Sequence, residues 1–147
     1  MTAMTPDELA RRCADAMWAD DVASQSLGMA LDDVGPGRAT LSMPIRADMA
    51  NGHGIAHGGF VFALADSAFA FACNSYNERT VAYACDIVFA APVRVGDVLT
   101  AAAVERHRFG RNGIYDIRVT RGGDAADPAE VVAEFRGRSR TIGGSFV

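Results

Sequence analysis

The sequence is short of the features that mark several protein classes. It has only three cysteines, Cys13, Cys73 and Cys85, without CxxC or other paired spacing. That argues against a disulfide scaffold and for reduced thiols in a cytoplasmic chain. Positive charge is not in excess, since 14 Lys+Arg stand against 18 Asp+Glu and leave a net charge of −4. Such a balance is a poor footprint for nucleic acid. Long apolar runs are missing too. The longest, Phe60 to Cys73, contains Asp66 and Ser67 and falls short of the ~20 residues a bilayer needs. The opening MTAMTPDELARRC turns charged at once, unlike a signal peptide. No internal repeat or low-complexity tract is visible.

What remains is 147 residues, 50% apolar and 22% charged. This predicts a single domain over residues 1–147 with a real hydrophobic core. Thr5-Pro6-Asp7-Glu8 reads as a capping box with proline in the first turn. The helix it opens is expected over about 5–20, with Leu9, Cys13, Ala16 and Met17 as its apolar stripe. Gly35-Pro36-Gly37 reads as a turn between strands at about Gly28–Val34 and Arg38–Pro44. A loop follows over Ile45–His57, then a central helix over about 58–76. Four strand-like runs complete the chain: Thr80–Ala90, Asp97–Arg108, Gly113–Arg121 and Glu130–Ile142, with the last turn over Gly122–Pro128. The order predicts an α+β domain, an antiparallel sheet with one unusual helix against it.

That central helix reads FVFALADSAFAFACNSY from Phe60 and has almost no polar face, so it is expected to be buried nearly all round. Ser67 and Asn74 make a minor polar stripe, and Asp66 is its one acid, flanked a turn away by Phe62, Ala63, Phe69 and Ala70. A buried carboxylate needs a compensating hydrogen bond or holds its proton more tightly. Asp66 therefore either fixes packing, through a strand backbone or an arginine, or serves as base or nucleophile in an apolar slot. The preceding His57-Gly58-Gly59 favours the second reading. Free amides in a first helical turn attract negative charge, and the Gly58 amide could polarise a carbonyl. Gly58 and Asp66 are eight residues apart, about 12 Å on one helix, too far to share one carbonyl. A joint reaction requires Asp66 from a second copy, on an antiparallel helix across a two-fold axis.

The run Asn51-Gly-His-Gly-Ile-Ala-His57-Gly-Gly-Phe-Val-Phe-Ala-Leu-Ala-Asp66 resembles the hotdog-fold acyl-CoA thioesterases, and within them the PaaI type. Similar segments continue at Ala68–Ser75, Phe89–Asp97, Gly113–Ile117 and Phe135–Gly144. The resemblance implies a sheet wrapped around the central helix, a homodimer that often pairs again as a dimer of dimers, and hydrolysis of an acyl-CoA thioester. It implies no metal and no cofactor, coenzyme A being part of the substrate. By position, Asp66 would attack or activate water, Gly58 would polarise the carbonyl, and Asn51 and His57 would position water or substrate. Relatives often place a small hydroxyl residue on the next strand, facing the acid, whereas Val81–Asp86 has neither Ser nor Thr. Phenylacetyl-type acyl groups are suggested by resemblance alone.

Coenzyme A brings phosphates, which arginine binds through its planar fork. Arg111 and Arg140 are the preferred anchors by resemblance, with Arg138 and Arg94 as further candidates and Phe89 and Ala90 beside the pantetheine path. A metal site is disfavoured, because His53 and His57 sit among glycines and no third ligand is signalled. Cys73 and Cys85 lie where inert core thiols are commoner than nucleophiles. The rival activities are a hotdog enoyl-CoA hydratase or dehydratase and a non-catalytic acyl-CoA-binding module. Fold alone does not separate these.

Overall fold

Thr5 accepts from the Glu8 amide at 3.1 Å, and the Glu8 carboxylate accepts from the Thr5 amide at 2.8 Å, so the first helix starts through a complete capping box. A computed structural model describes residues 2–123 and 126–147, which leaves two residues of the Gly122–Pro128 turn outside the described residues. Helix α1 spans Pro6–Asp20 and α2 spans Val22–Ser26. Strands β1 (Ala30–Gly35) and β2 (Arg38–Pro44) precede a 3-10 turn at Ala47–Met49. Helix α3 covers Gly58–Cys73, followed by β3 (Thr80–Phe89), β4 (Val98–Phe109), β5 (Asn112–Arg121) and β6 (Glu130–Thr141). Relative to the sequence reading, β1 starts two residues later and α2 is new. The buried line of α1 runs through Ala10, Cys13 and Ala14, with Leu9, Ala16 and Met17 only half-buried.

The strands form one antiparallel sheet in the order β1-β2-β4-β5-β6-β3, with β1 and β3 as edges. In β2 the alternation is as expected, with Ala39, Leu41 and Met43 all turned to the core. Helix α3 lies across that face, chiefly against β2, β4 and β5. Phe69 anchors it, with ring centroids 5.5 Å from Tyr115 and 6.0 Å from Phe135. A Cβ at Gly137 would run into the Phe69 ring, so glycine there is what lets the helix sit so close to the sheet.

The helix ends at Cys73, three residues before Tyr76. Polar side chains take over the backbone there. Asn74 Nδ2 donates to the carbonyls of Ala70 and Thr80, and its Oδ1 accepts from the Thr80 amide. Ser75 donates to Ala72 O at 2.7 Å and accepts from the Gly37 amide at 2.8 Å. Local bonds of this kind compete with further helix. Ser67 is bonded to Ser24 at 2.9 Å, which ties α2 to α3.

Burial nearly all round is not observed. Val61, Leu64, Ala65, Ala68, Phe69, Phe71 and Ala72 are buried, while Phe62, Ala63, Asp66 and Ala70 form a half-exposed strip at helical spacing. The sheet covers one side of α3 only. Beside it, edge strand β3 exposes Val81, Tyr83, Val88 and Phe89, each 44–63% accessible. Among the described residues no helix is long and apolar enough to cross a membrane.

Candidate active site

The loop before α3 is built around Asn51. Its Oδ1 accepts from the His53 amide at 2.9 Å and the Ile55 amide at 3.4 Å, while its own backbone amide donates to Ile55 O. The loop is pinned to its surroundings by Ala56 N donating to Val93 O at 2.7 Å and His57 N to Met49 O at 2.8 Å. His57 is the N-cap of α3, and its Nδ1 accepts from the Gly59 amide at 2.9 Å. This assigns Nδ1 as the acceptor and leaves Nε2 as the other nitrogen of an exposed ring. The Gly58 amide has no acceptor among the described residues. It is a free donor at the positive end of a 16-residue helix.

A cleft of about 390 Å³ opens at this end of α3. It gathers four of the residues singled out from sequence, Asn51, Gly58, Phe89 and Ala90. The rest of its wall is apolar, from Ile55, Ala56, Val61, Ala91, Pro92 and Val93. The Phe89 ring lies so near Gly58 that a Cβ there would sit 3.0 Å from it, which explains the need for glycine at the helix start. The apolar half of this wall was missed from sequence, although Phe89-Ala-Ala-Pro-Val93 is a run of small and apolar groups beside a turn. Arg121 was missed as well. It donates to Pro92 O at 2.7 Å and Asp97 Oδ2 at 2.9 Å and pairs with Glu130 at 2.7 Å, bracing the segment that forms the wall.

Asp66 is not on this cleft. It sits two turns further along α3, on the half-exposed strip, and no group among the described residues donates to its carboxylate. Burial raises its pKa above the usual carboxylate range, with no counter-charge to offset the effect. An internal salt link for Asp66 is thus absent among the described residues.

The arginines are dispersed. Arg94 is exposed just beyond the cleft wall, and its backbone amide is held by Asp97 at 2.9 Å. Arg138 pairs with Asp86 at 3.0 Å, and Arg140 lies 5.8 Å from the Tyr83 ring. Arg111 donates to Thr141 O and lines a separate cavity of about 280 Å³ with Cys73 and Tyr76, at the opposite end of α3. Within one chain, then, Arg111 does not meet the Gly58 cleft. All three cysteines are free; burial pushes the Cys73 thiol up to about 12 and also raises Cys13 and Cys85. Among the described residues no three His, Cys, Asp or Glu side chains are grouped to hold a metal ion.

Comparison with known proteins gives this geometry a family. The family model described as the thioesterase superfamily matches residues 53–126. The acyl-coenzyme A thioesterase PaaI of Escherichia coli (strain K12) is 42% identical over 90% of this chain and 91% of its own. A putative esterase of Deinococcus radiodurans is 36% identical over 78% of this chain and 75% of its own. The solved structure of the E. coli PaaI protein, from a phenylacetic acid degradation operon, superposes with a TM-score of 0.90, covering 96% of this chain and 99% of that one at 40% identity. The chain belongs to the thioesterase superfamily and has its hotdog fold.

Proposed function

We propose that the protein hydrolyses acyl-CoA thioesters to free acid and CoA, in the cytoplasm and without a metal or cofactor, at sites shared between two copies of the chain. One observation carries this reading: a free Gly58 amide opens into an apolar cleft, while the only desolvated acid of the same helix stands about 12 Å away on an uncovered face. An antiparallel pair of α3 helices would cover that face and bring Asp66 of the partner subunit to the Gly58 cleft. The exposed apolar residues of β3 supply the flanking surface, as an edge strand that pairs with another copy would. A further pairing into a dimer of dimers is part of the same reading.

The thioester carbonyl accepts from the Gly58 amide, which stabilises the oxyanion as water adds. Asp66 takes the proton from that water and returns it to the departing thiolate as the C–S bond breaks. Its raised pKa makes it a stronger base than an ordinary aspartate. Asn51, whose Nδ2 has no acceptor among the described residues, and His57, whose Nδ1 is taken by the Gly59 amide, orient the water and the carbonyl. Phe89 and Ala90 line the approach of the pantetheine arm, with Arg94 beyond them. The antiparallel arrangement also carries the Arg111 end of one subunit, with Arg138 and Arg140, toward the Gly58 end of the other, where CoA phosphates would lie.

Phenylacetyl- and hydroxyphenylacetyl-CoA lead the candidate substrates, because the E. coli relative comes from a phenylacetic acid degradation operon. The test is a thiol-release panel of aryl and medium-chain acyl-CoAs, together with the mass of the protein in solution. CoA release by a dimer or tetramer is expected. Full activity from a stable monomer, or acyl-CoA binding without thiol release, would refute the reading.

A further inference from the structure

Three strand ends meet beside the Gly58 cleft. Arg121 closes β5, Glu130 opens β6 opposite it, and Asp97 stands one residue before β4. The Arg121 guanidinium joins them to the segment that crosses from β3 to β4. Its Nη1 donates to Pro92 O at 2.7 Å and to Asp97 Oδ2 at 2.9 Å. Nε and Nη2 both donate to Glu130 Oε2, at 3.2 and 2.7 Å. The planar fork is what lets one side chain hold in two directions at once.

The crossing segment depends on such a hold. Residues 90–97 belong to no strand, and Pro92 has no N–H to donate. The bond from Arg121 is the one hydrogen bond that Pro92 makes among the described residues. Neighbouring residues pass the constraint on. Val93 O accepts from the Ala56 amide at 2.7 Å, and Ala56 precedes His57, the N-cap of α3. Asp97 Oδ2 accepts from the Arg94 amide at 2.9 Å as well as from Arg121. The Arg94 amide first, and then Arg121, keep the Asp97 carboxyl below the usual carboxylate range against the effect of burial, so the clamp stays charged near neutral pH. Ala56, Gly58, Pro92 and Val93 all line the cleft, and Arg121 does not. Where Arg121 holds the Pro92 carbonyl thus decides how far this wall stands from Gly58.

We propose that Arg121 is a positioning residue that sets substrate selectivity: by fixing the Pro92 carbonyl it holds the cleft at the width of an extended pantetheine arm, so that CoA thioesters are preferred over thioesters of a short thiol. The inference rests on the reading of the Gly58 cleft as the thioester site. A pantetheine arm is a flexible chain of methylenes and amides, and ordering it on binding is costly. An apolar wall recovers that cost only if the wall itself is already ordered. A guanidinium bonded on both sides within the protein supplies that order in advance. The chemical step is carried elsewhere, by Gly58 and Asp66.

The test compares Arg121→Ala with the native protein on the acyl-CoA that the native protein hydrolyses fastest, and on the same acyl group carried by N-acetylcysteamine, which keeps only the thiol end of the arm. In Arg121→Ala the KM for the CoA thioester rises about tenfold with kcat within about twofold, the pattern of lost binding rather than lost chemistry. For the N-acetylcysteamine thioester kcat/KM stays within about twofold, so the selectivity between the two substrates falls about tenfold. A loss equal for both thioesters, or one that falls on kcat, would overturn the proposal, because a general loosening of the fold does not distinguish the two arms. Should Arg121→Ala fail to fold, Arg121→Lys decides by the same ratio. Its single ammonium cannot span Pro92 O and Glu130 as the fork does, and selectivity falls about threefold; an unchanged ratio would overturn the proposal. The two readings fail separately: no thiol release by the native protein from any acyl-CoA would remove the thioesterase reading, whereas thiol release with unchanged selectivity in the variants would remove the role of Arg121 alone.

Discussion

The two ends of α3 are built on opposite terms. At its C-terminal end the polar groups around the turn are bonded. Asn74 alone makes three bonds to backbone, Ser75 closes on Ala72 and Gly37, and the Asn77 Oδ1 accepts from the amides of Phe146 and Val147. At its N-terminal end the Gly58 amide is left without an acceptor, beside an apolar cleft. One end spends its hydrogen bonds on holding the chain, and the other keeps a donor in reserve. Asp66, midway, belongs in character to the second. It is a desolvated carboxylate with no donor among the described residues. The contrast separates groups that stabilise this fold from groups that the fold holds at a cost, and each can be tested.

The largest effect is expected at Asp66. Asp66→Asn should lower kcat by at least ~10²-fold, the lower range for a positioned acid–base group, in a thiol-release assay. The same substitution should stabilise the protein at neutral and alkaline pH. Burial raises the folded-state pKa of Asp66, so the folded chain keeps this proton to a higher pH than the unfolded chain does. The stability contributed by the protonated acid is complete below the unfolded value and is lost as pH rises through the folded one. Thermal melts of native and variant protein should diverge with rising pH, the variant being higher, and converge in acid. A variant both inactive and less stable at pH 8 would move Asp66 to the structural class.

Gly58 comes next. Alanine there places a Cβ 3.0 Å from the Phe89 ring, so either the ring or the helix start must shift. A displaced donor stabilises an oxyanion poorly, and kcat should fall about tenfold with little change in melting temperature. Pairing Gly58→Ala with Phe89→Leu relieves the crowding, and part of the activity should return. Equal losses in the single and double variants would show that crowding is not the cause.

The same division explains what could be read from the chain alone. Strands bounded by Gly and Pro were legible to within two residues, because turn chemistry is local. Asn51, Gly58, Phe89 and Ala90 were singled out from sequence and do line one cleft. The end of α3 was placed at Tyr76 because Asn74 and Ser75 hold partners on β3 and in the β1–β2 turn, which no local pattern reveals. Helix α3 looked wrapped on all sides, since apolar residues on an uncovered strip read the same as those under the sheet. Arg121 reaches Pro92 across 29 residues of sequence, and an isolated arginine gives no sign of such a brace.

The smallest effect on turnover is expected where the bonds are complete. Asn74 is 4% exposed and joins the last turn of α3 to the first residue of β3. Asn74→Ala leaves the Thr80 carbonyl and the Thr80 amide to find other partners in a dry place, while the Ala70 carbonyl keeps the backbone amide of residue 74. Each buried group left unpaired costs about 1–3 kcal/mol, so a loss near 2 kcal/mol in denaturant melts is expected once partial relaxation is allowed for. The Gly58 cleft lies at the other end of α3, and neither Asn51 nor Phe89 touches this turn. kcat/KM should therefore stay within about twofold of the native value at temperatures well below the melt, because the variant alters how often the chain is folded and not what the folded chain presents to a thioester. A large fall in kcat at full foldedness would mean that the C-terminal turn sets the position of Asp66 through the helix, and the two ends would then have to be treated as one device.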